Sequence, residues 1–264
     1  MNAKDLISHI KNGRADDTLL DIYQTEDALR IQKERYIKAI KGFQHIFNHD
    51  DSDEVHAFSA PGRTEVCGNH TDHQHGEVLA ASISDDAIAI VSPRDDGAIQ
   101  LLSEGYDMIT VNLDSLAADP AEEGTTRALI RGVLAKTKEE GYAIGGFNAY
   151  VTSDVLSGSG LSSSAAFETL LGTILSGLYN AMSIDPIRIA IIGQYAENVY
   201  FGKPCGLMDQ MACSVGALCH IDFADPADPQ VERVDFSLTA AGYSLCITDT
   251  KGSHADLTPD YAAV

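Results

Sequence analysis

Three segments concentrate side chains that can do chemistry. The first is Val155-Leu-Ser-Gly-Ser-Gly-Leu-Ser-Ser-Ser-Ala-Ala166, between a β-rich run (147–152) and a run of helix formers. Gly158 and Gly160 permit tight backbone turns. Ser162, Ser163 and Ser164 then stand at the first turn of a helix. The unpaired N–H groups there, with the helix dipole, make an anion site. Serine hydroxyls can add hydrogen bonds to a phosphate or reach a metal ion. No Gly-Lys-Ser/Thr follows, so this is not a Walker A loop. A plain serine N-cap after a glycine turn is the other reading.

The second segment is Phe58-Ser-Ala-Pro-Gly-Arg-Thr-Glu-Val-Cys-Gly-Asn-His-Thr-Asp-His-Gln-His-Gly76. Arg63, Glu65, Asn69, His70 and Asp72 suit a polyhydroxylated ligand, because carboxylate and imidazole hydrogen-bond hydroxyls well. Two other readings stay open: a metal site built on His70, Asp72, His73 and His75, and a solvated polar loop. Ligation by two histidines on a helix wants i, i+4 spacing, which this run lacks.

The third is Ala196-Glu-Asn-Val-Tyr-Phe-Gly-Lys-Pro-Cys-Gly-Leu-Met-Asp-Gln-Met-Ala212. It carries Glu197 and Asp209. On its own it reads as a helix end, a Gly-Lys-Pro turn and a second helix start, with Asp209 a surface acid near a helix N-terminus.

These segments need elements to hold them. Leu29, Tyr36, Ile40, Phe43 and Phe47 recur at helical spacing, which predicts an amphipathic helix over 26–47, ended by the polar run Asn48–Glu54. Strands are expected at 87–92, 99–102, 147–152 and 243–248, and helices at about 126–140, 162–180 and 185–200. The uneven alternation predicts an α+β fold, a mixed sheet with helices packed on one face. The expected division is an N-terminal helical extension (1–47) and a main domain (48–264).

With these residues on the page, the chain resembles the GHMP kinases, and among them the galactokinases. Gly160-Leu-Ser-Ser-Ser-Ala165 matches the family pattern P-x-x-x-G-L-S-S-S-A, although Asp154-Val155-Leu156 stands where the proline falls. Gly62-Arg63, Gly68, His70-Thr71-Asp72 and Gly76 match G-R-V-N-L-I-G-E-H-T-D-Y-N-G-G in register. Asn69 replaces its second-half glutamate, His73 its tyrosine and Glu65 its asparagine. The third segment is similar to A-E-N-x-x-x-G-x-x-C-G-I-M-D-Q, and Asp249-Thr-Lys-Gly-Ser-His254 with Tyr261 to N-T-x-x-x-H…Y.

The resemblance implies roles. Arg63 and Asp209 would be catalytic, the first assisting phosphoryl transfer and the second beside the anomeric hydroxyl of a sugar. Asn69, His70, Asp72, Gly206 and Tyr261 would bind the sugar. Gly158, Ser159, Gly160, Leu161, Ser162, Ser163 and Ser164 would hold ATP, and Ser162, Ser163 and Glu197 would hold Mg²⁺. The implied activity is transfer of the ATP γ-phosphoryl group to the C1 hydroxyl of galactose or a close sugar. The alternatives are a non-catalytic sugar and ATP sensor on the same fold, or a kinase for another small alcohol. The implied fold is the N-terminal domain of the family. Its C-terminal domain is expected to be missing, because the family's third glycine-rich motif is not found and the chain stops at DLTPDYAAV.

Composition narrows the rest. A net charge of −21 over 264 residues disfavours nucleic acid and anionic membrane as partners. Eight of the 18 basic residues precede residue 42, so an anionic substrate needs a local donor site further on. Five scattered cysteines without a CxxC pair fit free thiols. The polar N-terminus lacks a signal-peptide core, and no apolar run approaches the ~20 residues of a membrane span. A cytoplasmic protein is expected.

Overall fold

The structure is a computed structural model and describes residues 1–156, 158, 160–225 and 228–248. In chain order, the helices and strands are α1 (Ala3–Lys11), α2 (Asp16–Tyr23), α3 (Glu26–Phe47), β1 (His56–Cys67), β2 (Glu77–Arg94), β3 (Ala98–Ser103) and β4 (Ile109–Asn112). Then come α4 (Thr126–Glu139), β5 (Gly146–Ser153), α5 (Ser163–Tyr179), α6 (Pro186–Tyr195), α7 (Met208–Val215), β6 (Leu218–Asp222) and β7 (Gln230–Val234). A 3-10 turn spans Thr71–Gln74, and a π-helical turn, Ala196–Phe201, continues α6. The sheet is mixed: β3 and β5 pair in parallel, whereas β3–β4, β2–β6 and β6–β7 are antiparallel.

The chain forms two compact units. One comprises Met1–Ser59, Ile88–Leu113 and Gly145–Ser153. Here α3 has the bounds its periodicity predicts. Thr25 caps it by accepting from Ala28 N–H, Glu26 and Asp27 lie in its first turn, and Asn48 ends it in the left-handed region. Its stripe of Leu29, Tyr36, Ile40 and Phe43 is buried with Ile88, Ile90 and Tyr150, and Phe47 packs against the same core. Each such side chain contributes about 1.5–3 kcal/mol by leaving water.

The other unit comprises Ala60–Ala87, Asp114–Ile144 and the described part of 154–264. The first half of β2 pairs with β6 in the register Glu77↔Asp222 to Ala81↔Leu218. Val78, Ala80, Cys219 and Ile221 from these strands bury against Met208, Met211 and Ala212 of α7. Asp185 caps α6 by accepting from Ile187 N–H, and Pro186 supplies the first helical residue, where a missing N–H costs nothing. Helix α5 is apolar almost all round, so it is a core helix rather than an amphipathic one: Leu170, Leu171, Ile174 and Leu175 are all buried.

The expected strands at 87–92, 99–102 and 147–152 lie inside β2, β3 and β5, and the expected helices match α4, α5 and α6 with its π-turn. The run 243–248 is different. It is irregular, with Tyr243, Leu245 and Ile247 exposed. Alternation supplies one apolar face, but a strand also needs a neighbour to hydrogen-bond, and none pairs with this run among the described residues. All five cysteines are free. No helix among the described residues is long and apolar enough to cross a membrane.

Candidate active site

All the described candidate catalytic, sugar-binding, phosphate-binding and metal-binding residues lie in the second unit. Gly158 and Gly160 sit at φ +74° and +79°, where a side chain is strained, so the loop needs glycine at both. Leu161 is buried with Val155, Ala165 and Ala166, and this pins the loop to the start of α5. Ser162 is the N-cap residue of α5, yet it lies in the left-handed region at φ 59° and makes no capping hydrogen bond. Its hydroxyl donates to Asp209 Oδ2 instead. The reading as a plain N-cap therefore fails, and among the described residues no side-chain cap is found at the start of α5. Left-handed non-glycine residues cost about 1–3 kcal/mol and concentrate at functional sites. Ser163 and Ser164 are half-buried in that first turn, and Ser159 lies outside the described residues.

Arg63 is buried on β1. Its Nε donates to Asp209 Oδ1 at 2.7 Å and its Nη2 to Asp209 Oδ2 at 2.5 Å, a bidentate pair. Its Nη1 donates to the Gly160 carbonyl at 2.5 Å, and its own N–H donates to Leu161 O at 3.2 Å. Asp209 is thus no surface acid. Burial pushes its carboxyl up, but His70, Arg63 and Ser162 together hold it well below the usual carboxylate range.

The loop after β1 is built around Asp72. Asn69 and His70 are consecutive left-handed residues, at φ 57° and 54°. Glu65 Oε1 accepts from His70 N–H at 2.9 Å, and Thr71 Oγ1 donates to Gly68 O at 3.0 Å, which together hold this turn. Asp72 Oδ2 accepts from Met208 N–H at 2.9 Å, so the loop is tied to the start of α7. A Cβ on Gly206 would lie 1.8 Å from Asp72 Oδ2, so only glycine lets the backbone pass this carboxylate.

His70 lies between two carboxylates, its Nδ1 3.2 Å from Asp72 Oδ1 and its Nε2 3.5 Å from Asp209 Oδ1. Hydrogen bonds to Asp209 and then Asp72 raise its pKa to about 10. For Asp72, burial raises the pKa, and the contacts from His70 and Met208 N–H more than offset it, leaving it lowered. His73 Nδ1 also lies 3.4 Å from Asp72 Oδ1, so ligand atoms of His70, Asp72 and His73 cluster within 4.8 Å. Both ring nitrogens of His70 face carboxylates, Nδ1 to Asp72 and Nε2 to Asp209, which ties the histidine into an ion-pair network. Asn69 is exposed beside this network. Tyr261 and the 249–254 segment lie outside the described residues.

Glu197 sits on the π-turn, a helix irregularity common at functional sites. Its Oε1 accepts from Ser164 Oγ at 3.0 Å and Lys203 Nζ at 2.9 Å, and its Oε2 accepts from Gln210 Nε2 at 2.8 Å. Of the three serines, Ser164 therefore faces Glu197, while Ser162 faces Asp209. Carboxylate and hydroxyl oxygens are the hard donors that Mg²⁺ takes, so the donor set of Glu197 and Ser164 would suit such an ion.

Three residues of this site were not singled out in the sequence: Lys203, Glu168 and Gln210. Gln210 ends the Met-Asp-Gln triplet and Glu168 lies one helical turn after Ser164, so helical spacing places it on the same face.

Two family models match this chain: the GHMP kinase N-terminal domain over residues 128–217, and the galactokinase galactose-binding signature over residues 41–93. The chain belongs to the GHMP kinase family. Its curated relatives include galactokinases: one from Streptomyces coelicolor is 36% identical over 204 residues, covering 77% of this chain and 52% of the relative. Another, from Pyrococcus furiosus, is 37% identical over 178 residues, covering 67% and 49%. A solved Lactococcus lactis galactokinase complexed with galactose superimposes with a TM-score of 0.66 at 28% identity, covering 75% of this chain and 51% of that one. The chain spans about half the length of the curated relatives it matches.

Proposed function

We propose that this chain serves transfer of the ATP γ-phosphoryl group to the C1 hydroxyl of galactose or a close sugar. One observation carries this reading most directly. The Asp209 carboxylate is gripped by Arg63 and receives the hydroxyl of Ser162, the residue that opens α5 after the glycine loop. A candidate base and a candidate phosphate cradle thus meet at one carboxylate.

In this reading the loop from Gly158 to Ser164 and the uncapped N-terminus of α5 hold the β- and γ-phosphates, and backbone N–H groups supply the positive potential that a chain of net charge −21 otherwise lacks. His70, Asp72 and Asn69, with the Gly206 backbone and Tyr261, hold the sugar. Asp209 accepts a hydrogen bond from the C1 hydroxyl. Its low proton affinity makes it a weak base, so the proton moves late, as the bond to phosphorus forms. Arg63 keeps Asp209 ionised and offsets charge on the moving phosphoryl group. Glu197 with Ser164 and neighbouring Ser163 would hold Mg²⁺, which would supply neutralisation of phosphate charge. A cytoplasmic location fits free thiols and an ATP substrate.

The test is a coupled ATP-turnover assay over a panel of hexoses and small alcohols. Turnover with a galactose-like sugar supports the reading, and turnover only with a non-sugar alcohol overturns it.

A further inference from the structure

Glu168 is a buried titratable group that the proposed mechanism does not use. Glu168 is 1% exposed, on α5, and Gln210, on α7, is fully buried. Gln210 Nε2 donates to Glu168 Oε2 at 3.0 Å and to Glu197 Oε2 at 2.8 Å. A carboxamide nitrogen has two hydrogens, so each serves one carboxyl group. The amide's other contact is a long one from Nε2 to Cys205 Sγ at 3.8 Å, and Gln210 Oε1 makes no hydrogen bond among the described residues. Gly193 leaves no slack: a Cβ there would lie 3.1 Å from Glu168 Oε2 and 3.2 Å from Gln210 Cγ.

We propose that Glu168 is a positioning residue for Glu197: it anchors the Gln210 carboxamide, whose second N–H sets the Glu197 carboxylate toward Ser164. The inference rests on the reading of Glu197 as a cation holder. A bridge of this kind works when only one of the two carboxyl groups is charged, since two buried anions around one amide repel each other. Lys203 and Ser164 both serve Glu197, while Glu168 makes no ion pair among the described residues. Burial, with the nearby Glu197 charge, pushes the Glu168 carboxyl well above the usual range. Groups hydrogen-bonded directly to a metal ligand typically change metal affinity 10–100-fold when lost; Gln210 holds that place behind Glu197, and Glu168 acts through it.

The experiment compares wild type with Glu168→Gln, which keeps a carbonyl acceptor without a charge, and Glu168→Leu, which removes the acceptor. Two readouts are taken on each folded chain: hydrogen exchange of the Gln210 side-chain amide by nitrogen-15 NMR, and affinity for Mn²⁺ with a non-hydrolysable ATP analogue by electron paramagnetic resonance. The expected result is that Glu168→Gln keeps slow exchange and Mn²⁺ affinity near wild type. Glu168→Leu should speed exchange and weaken Mn²⁺ about tenfold or more. Glu168→Met replaces the leucine variant if that one does not fold. Unchanged exchange and Mn²⁺ affinity in the leucine or methionine variant would overturn the proposal, as would loss of both in Glu168→Gln. If wild type itself binds no Mn²⁺, the reading of Glu197 fails, while the Gln210 exchange readout still judges whether Glu168 holds that amide.

Discussion

Arg63 and Asp209, 146 residues apart in sequence, meet in a two-pronged ion pair with N···O distances of 2.7 and 2.5 Å. The carboxylate is ionised and aimed by the same contacts. Replacing it with the isosteric amide keeps an acceptor but removes the charge that draws a hydroxyl proton. Asp209→Asn should therefore lower turnover by ~10²–10⁴-fold while sugar binding persists. Steady-state kinetics with a direct sugar-binding measurement check this, and near-normal turnover would sink the catalytic assignment.

Gly206 should not tolerate alanine. The new Cβ would lie 1.8 Å from Asp72 Oδ2 and 2.3 Å from Asp72 Cγ, and this carboxylate is held by Met208 N–H. The loop carrying His70 has to move. Overpacking of this kind costs about 1–3 kcal/mol. Thermal melting should shift down, and sugar affinity should fall with it; an unchanged melt with unchanged affinity contradicts the geometry.

His70 should make stability fall with rising pH. Its pKa is about 10 in the fold against 6.5 as the ordinary value, so over that interval the folded chain binds more protons than the unfolded one. The stabilisation is fully present below the ordinary value and is lost as pH rises through the folded one. The difference in melting temperature between wild type and His70→Gln should be constant in mild acid and shrink toward about pH 10. A difference that grows with pH would mean that the imidazole is neutral in the fold.

Asn69 stands where the galactokinase signature has glutamate, and it is exposed next to His70. Charge-assisted hydrogen bonds are roughly twice as strong as neutral ones. Asn69→Glu should therefore lower KM for galactose by near tenfold, or shift the preference among galactose, its 2-amino derivatives and its C6-altered derivatives. Kinetics across that panel, unchanged in both magnitude and ranking, would remove Asn69 from the sugar site.

Much of this was legible in the sequence because the signals are local. The stripe from Leu29 to Phe47 defines α3 without reference to anything distant, and a glycine loop before a serine-rich helix start implies an anion site wherever it falls. Tertiary structure decided which partner each side chain meets. Ser162, Ser163 and Ser164 are equivalent in sequence, yet the left-handed turn at Ser162 sends its hydroxyl to Asp209, and helical geometry turns Ser164 to Glu197. Closeness in sequence left a metal site open at His70, Asp72, His73 and His75; the approach of Asp209 from α7 makes His70 part of an ion pair. The alternation in 243–248 satisfies the strand pattern but finds no edge to pair with among the described residues. Glu168 was invisible as a functional group for the same reason: a carboxyl is neutral or charged according to what surrounds it, and its surroundings come from helices 25 to 42 residues further along the chain.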